Sequence, residues 1–197
     1  MKCFNLLALF VLLFNLVSCS KDDADDGVSK NQFMDPRDEQ VYDIVSIGDQ
    51  TWFAENLNYD TADNSSTCYD GNSDNCFIYG RLYNGDVAQT ACPDGWHLPS
   101  KEEWETLIDY LGGINAAHVF FKPFAMQQGE PVGFNLLAGG WYFADFKDIG
   151  IEGHYYTSTD GGLPNSFKTI TFVPDTSVST EGISSSNIMQ NCRCIKD

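Results

Sequence analysis

Residues 41–59 carry two runs rich in Val, Ile, Thr and aromatics on either side of Gly48-Asp49. That pattern predicts a β-hairpin closed by a two-residue turn. Residues 60–76 then lose all apolar pattern and become rich in Asp, Asn, Ser and Gly, which reads as loop. A short helix is predicted near 84–91, with Asn84 as N-cap and Gly85 weakening it. The helical period is clearest at Trp104, Leu107, Ile108 and Leu111, which fall at i, i+3, i+4 and i+7. Ser100 and Glu103 stand where a capping box places its Ser and Glu, and Pro99 keeps the residue before it extended. Gly112-Gly113 supplies the stop. Glu102 and Glu103 sit in the first turn, where they suit the helix dipole. From residue 133 onward the pattern is one of short strands broken by Gly, Asp, Pro and Ser, in "GFNLLAGGWY", "GHYYTSTD", "SFKTITFV" and "NIMQNCRCIKD". The expected class is α+β: an early hairpin, two helices, then antiparallel strands. No internal repeat is visible.

The amino terminus has a different character. Lys2 precedes residues 4–17, an apolar run of signal-peptide length and too short to span a bilayer comfortably. Leu16-Val17-Ser18-Cys19 resembles the lipobox of bacterial lipoproteins, which implies cleavage after Ser18 and lipid on Cys19. Several acyl chains anchor stably, because each buried CH₂ contributes about 0.8 kcal/mol. Ser20-Lys21-Asp22-Asp23-Ala24-Asp25-Asp26 follows, a run too polar to fold. It resembles the acidic export signal of Bacteroidota surface lipoproteins, which implies a domain facing outward from the outer membrane; a spacer in the periplasm is the alternative. The chain thus divides into a lipoprotein signal peptide (1–18), an acidic tether (19–39) and one globular domain (40–197).

Composition narrows the partners. Aromatic residues make up 14% of the chain, enough for a substantial core, and the formal net charge is −17. Such a charge repels nucleic acid and anionic headgroups, so neither is expected as a partner. Of the seven cysteines, Cys3 leaves with the signal and Cys19 is spent on lipid. Cys68, Cys76, Cys92, Cys192 and Cys194 remain in an oxidising compartment, and an odd count leaves one unpaired. Cys68 and Cys76 bracket a turn-forming loop and are expected to bridge locally. Cys92 is expected to pair with the C-terminal strand. Cys192-Arg193-Cys194 is too tight for ordinary zinc-ligand spacing, and no CxxC is present.

Taken in order, "QTWFAENLNYDT", "YGRLYNGDVAQTACPDGWHLPSKEEWETLIDYLGG", "FNLLAGGW", "YYTSTD" and "RCIKD" resemble the Fibrobacter succinogenes major paralogous domain. Its most specific part is Cys92-Pro93-x-Gly95-Trp96-His97-Leu98-Pro99-Ser100 leading to Glu103-Trp104. That family is similar to the C-type lectin-like fold and to formylglycine-generating (sulfatase-modifying) enzymes. The resemblance implies two helices, small antiparallel or mixed sheets, long irregular loops and disulfide staples. It implies a Cys92–Cys194 bridge, with Cys192 a buried free thiol where the family tends to have Val; a Cys92–Cys192 bridge is the rival. Alternation would place both cysteines on one strand face. The family usually has Trp where this chain has Gly85, which predicts a looser first helix.

Catalytic signatures are sparse. His97, His118 and His154 stand in no hydrolase motif, and His97 is expected to be a packed core residue. Asp70-x-Asn72-x-Asp74 resembles the start of a calcium loop, but Asn75 replaces the required Gly and no Glu stands at the twelfth position. These residues are weak calcium candidates, turn chemistry is the favoured reading, and no cofactor is expected. The function expected is a non-catalytic binding or structural module on a lipid tether. Its candidate ligand surface for a glycan or protein comprises Trp141, Tyr142, Phe143, Tyr155 and Tyr156. A formylglycine-generating-type thiol oxidase, or another cell-envelope enzyme, is the alternative.

Overall fold

The hairpin read from residues 41–59 forms as expected. In a computed structural model, which describes residues 31–122, 126–127, 130–131 and 133–197, Val41–Ile47 pairs antiparallel with Gln50–Phe53. Gly48 turns the chain between them at φ +59°, a conformation that favours glycine. Cys19 and its lipobox lie outside the described residues. In chain order the strands begin with β1 (Gln32–Met34), β2 (Val41–Ile47), β3 (Gln50–Phe53), β4 (Ser66–Thr67), β5 (Leu82–Asn84) and β6 (Trp96–His97). They continue with β7 (Met126–Gln127), β8 (Glu130–Pro131), β9 (Trp141–Phe143), β10 (Asp145–Lys147) and β11 (Gly153–Asp160). The last are β12 (Ser166–Val173), β13 (Ser177–Ser185), β14 (Met189–Asn191) and β15 (Ile195–Lys196). The helices are α1 (Ser73–Tyr79), α2 (Gly85–Ala88), α3 (Lys101–Tyr110) and α4 (Ala117–Phe120).

Strand structure dominates this chain, and the two-helix, C-type lectin-like α+β expectation is overturned. One sheet runs β1-β2-β3-β15-β6. A larger one runs β10-β9-β14-β11-β12-β13, with β5 joined to β14 and β4 to β5, and β7-β8 form a separate ribbon. The helices cannot define the class: α2 and α4 are four residues each, and among the described residues only α3 reaches ten. Many strands span two or three residues, too short to show any periodicity before their partners are known. Strand β1 also lies within the stretch assigned to the tether. It pairs with β2, and Asp35 behind it is fully buried, so the folded domain reaches back to at least Gln32.

Alternation along the central strands feeds two cores. Trp52 and Tyr155 enter a cluster with Trp104, Phe121, Phe134 and Phe172. Their neighbours Phe53 and Tyr156 point the other way, into a cluster with Tyr42, Tyr83, Trp96 and Cys192. Helix α3 closes the first core by laying Trp104, Leu107 and Ile108 against β11 and β12. Its capping box is complete: the Ser100 hydroxyl accepts from the Glu103 N–H at 3.2 Å, and the Glu103 carboxylate accepts from the Ser100 N–H at 2.7 Å.

Helix α2 is shorter than predicted, although Asn84 caps it by accepting from the Val87 N–H at 3.0 Å. The expected looseness at Gly85 is not found. A Cβ there would stand 2.8 Å from the Ser186 Cα, with Phe167 and Tyr156 close behind. The surrounding chain has closed over the position, so Gly85 marks a tight approach of two backbones.

Candidate functional site

Both bridges are formed. Cys68 joins Cys76, and Cys92 joins Cys194 across a sequence separation of 102. Closing so long a loop contributes about 4–5 kcal/mol in the chain-entropy account. Residues 192–194 are not part of a strand: they form the link between β14 and β15, and all three are fully buried. Cys192 is the free thiol, and burial pushes its pKa well above the ordinary value. A thiol held neutral and away from solvent is a poor nucleophile.

Arg193, between the two cysteines, is a buried cation without a carboxylate partner among its hydrogen bonds. One terminal nitrogen donates to the carbonyls of Phe53 and Phe134, both at 3.0 Å. The other donates to Asn56 Oδ1 at 2.7 Å and to the Asn135 carbonyl at 3.0 Å. Its guanidinium lies 4.9 Å from the centre of the Phe134 ring. Burial lowers its pKa. One side chain thus fastens β3, the Asn56 turn and the 134–135 segment together.

His97 is half-buried rather than packed in the core. Its Nδ1 lies 2.7 Å from Asp197 Oδ1 and its Nε2 lies 2.9 Å from Glu103 Oε1. Burial pulls its pKa down, but the hydrogen bonds to Asp197 and Glu103 outweigh that and leave it raised. Glu103 is held low: burial opposes this, and the Ser100 N–H and His97 prevail. With both imidazole nitrogens held by carboxylates, neither is free to take a proton from a substrate. The cluster is a clasp between the end of the chain and the start of α3.

The calcium candidates do local work. Asn72 caps α1 by accepting from the Asp74 N–H at 3.0 Å, and Asp70 adopts φ +55° in the preceding turn. Among the described residues no group of three or more His, Cys, Asp or Glu is placed to hold a metal ion.

The predicted aromatic surface divides in two. Tyr155 and Tyr156 are fully buried, which corrects their assignment to a ligand face. The Tyr155 hydroxyl donates to the Leu137 carbonyl, and the Tyr156 hydroxyl lies 2.7 Å from the carbonyls of both Ser185 and Ile188. Each ring fills a core while its polar tip is satisfied by backbone. Trp141, Tyr142 and Phe143, on β9, stay at least partly exposed. Trp141 is fixed by its indole N–H, which donates to Asp148 Oδ2 at 2.8 Å, and Lys147 Nζ lies 5.5 Å from its ring centre.

Beside Trp141 runs an open groove of about 250 Å³, lined also by His154, Thr171, Ile183, Ser184 and Gln190. His154 sits edge-on to Trp141, ring centres 6.1 Å apart, with Nε2 held by Glu152 at 3.0 Å. Gln190 is only 4% exposed; its amide donates to Ser184 Oγ at 3.1 Å, and its Oε1 has no hydrogen-bond partner. A buried acceptor left unmet is costly, so this one favours a donor brought from outside. Sequence reasoning found Trp141 and missed Gln190. A glutamine in "NIMQN" carries no local signal, and only the pairing of β14 with β5 and β9 sets it beneath the groove.

These features define a disulfide-stapled, mainly β domain with a partly exposed tryptophan beside a shallow groove. Residues 45–196 match the model of the Fibrobacter succinogenes major domain, and the chain belongs to that family. The family match indicates no catalytic activity. No curated protein matches the chain. No solved structure matches it. Among the described residues no helix is long and apolar enough to cross a membrane.

Proposed function

We propose that this protein is a non-catalytic binding module, held to the outer membrane by lipid on Cys19 with its domain at the cell surface. It takes a glycan or protein ligand along the Trp141 groove. The observation that carries this reading is a groove lined by a fixed, partly exposed tryptophan and by Gln190, whose buried Oε1 is unmet. A ring of that kind offers a flat apolar contact at small entropic cost, and the acceptor selects ligands that bring a donor. The address rests on Leu16-Val17-Ser18-Cys19 and the acidic run after it. Among the described residues a thiol-oxidase reading lacks an available nucleophile: four cysteines are bridged and Cys192 is buried.

The test combines a glycan array and a cell-surface pull-down with wild type and Trp141→Ala, alongside fatty-acid labelling of wild type and Cys19→Ala. Ligand capture lost in Trp141→Ala, with label lost in Cys19→Ala, is expected. Blank arrays and pull-downs with folded wild type would overturn the binding reading. Label retained in Cys19→Ala would overturn the anchor.

A further inference from the structure

A second concavity lies elsewhere, beside α1. It is a cleft of about 450 Å³ whose lining includes Asp43, Glu55, Asn56, Asn58 and Asn135, with Phe77 at its edge. Phe77 is 89% exposed and its neighbours Ile78 and Val41, which also line the cleft, are exposed as well. The three side chains line one cleft, and exposed apolar side chains grouped in this way mark interaction sites more than single ones do.

The helix that carries the ring is fixed in place. Helix α1 has only Cys76 buried, so apolar burial alone cannot fix it. The Cys68–Cys76 bridge does so from one side. At its other end Gly80 adopts φ +71°, and a Cβ there would stand 2.6 Å from the Asn56 Cβ and 2.8 Å from the Leu57 carbonyl. Asn56 donates to the Tyr79 carbonyl at 2.8 Å, tying the helix end to the cleft floor. Helix α1 and the cleft floor are therefore set relative to one another before any ligand arrives, which lowers the entropy lost on binding.

The chemistry of the walls narrows the ligand. Asn58 Oδ1 and Asn135 Oδ1 are buried acceptors without hydrogen-bond partners. Asp43 and Glu55 add carboxylates, and Glu55 Oε1 already accepts from the Asp43 N–H at 3.3 Å. A partner must therefore bring donors. An anion is repelled by the two carboxylates. Behind the lining the Arg193 guanidinium, bonded to Asn56 Oδ1 and the Asn135 carbonyl, offsets part of that negative charge. A neutral molecule with several hydroxyls meets these conditions, since each hydroxyl both donates and accepts. The C–H face of a sugar ring is suited to lie on Phe77, and the volume falls in the range of small-molecule sites.

We infer that the cleft between Phe77 and Asn135 is a binding site for a neutral saccharide, distinct from the Trp141 groove. Phe77 forms its apolar platform, and Asn58, Asn135, Asp43 and Glu55 receive its hydroxyls.

The experiment titrates the lipidated full chain in detergent with neutral gluco-, galacto-, manno- and xylo-oligosaccharides, a uronic-acid oligomer and a chitosan oligomer. Calorimetry reads affinity for wild type, Phe77→Ala, Phe77→Trp, Glu55→Gln and Trp141→Ala. A neutral oligosaccharide should bind wild type at a site that survives in Trp141→Ala, and in that background binding should weaken at least tenfold with Phe77→Ala and recover with Phe77→Trp. Thermal melts of Phe77→Ala should match wild type, because the ring is exposed. The inference is overturned if only the acidic or the amine-bearing oligomer binds, if binding ignores Phe77→Ala, or if no neutral sugar binds folded wild type. Because Trp141→Ala reads the other site, loss of the function proposed above and loss of this inference are separable.

Discussion

Helices α1 and α3 are held in place by opposite means. Helix α3 buries Trp104, Leu107 and Ile108 and closes its first turn with a complete capping box. Burial of that stripe stabilises it, and its exposed face carries polar and charged side chains such as Glu102, Thr106 and Asp109. Helix α1 buries only Cys76 and points Phe77 and Ile78 outward. A covalent bridge replaces the missing apolar stripe. The difference teaches that a helix held by its core must bury the large side chains of one face, whereas a stapled helix need bury almost none.

The comparison can be broken most severely at α3. Trp104→Ala empties a site ringed by Trp52, Phe121, Phe134 and Tyr155, and should cost about 3–5 kcal/mol in denaturant unfolding. Replacing Cys68 and Cys76 together by alanine opens a loop of sequence separation 8, and should cost about 2–3 kcal/mol in the loop-entropy account. That double variant should also weaken saccharide binding at Phe77, which titration calorimetry would detect. Ser100→Ala removes the α3 cap and should cost about 1 kcal/mol, seen as a lower denaturation midpoint.

A smaller effect sharpens the same contrast through pH. The raised pKa of His97 means that its contribution is complete below its unfolded value, about 6.5, and is lost as pH rises through the folded value. The lowered pKa of Glu103 means that its contribution is complete above its unfolded value, about 4.3, and is lost as pH falls through the folded value. The clasp therefore stabilises α3 most between these two limits. Melting temperatures of wild type and His97→Gln should differ most in that window and converge at either side. Smallest of all, Phe77→Ala should change stability by less than about 0.5 kcal/mol, since the ring is exposed. A larger loss would mean that Phe77 packs as α3 residues do, and the contrast would fail.

Local signals were readable where the physics is local. The Gly48-Asp49 turn, the Asn84 cap, the Ser100–Glu103 box and the i, i+3, i+4, i+7 stripe each depend on residues within one or two turns of chain, and all are present. Strand β13 was missed because "SVSTEGISS" is rich in serine and threonine; only its pairing with β12 buries Val178, Thr180 and Ser184. Helix α1 reads as loop in the sequence because its seven residues show no apolar stripe. Tyr155 and Tyr156 looked like surface aromatics because strand spacing cannot reveal that both faces of β11 are covered.

By itself the sequence determined where the chain turns, where its longest helix starts and stops, the local Cys68–Cys76 staple and the family to which residues 45–196 belong. Tertiary structure alone decided that strands outweigh helices, that Arg193 is a buried hub, and that Gln190 and Phe77 stand beside concave surfaces. The reason is range. Turns, caps and stripes are set by neighbours in sequence, while burial, unmet hydrogen bonds and clefts exist only once segments a hundred residues apart have met.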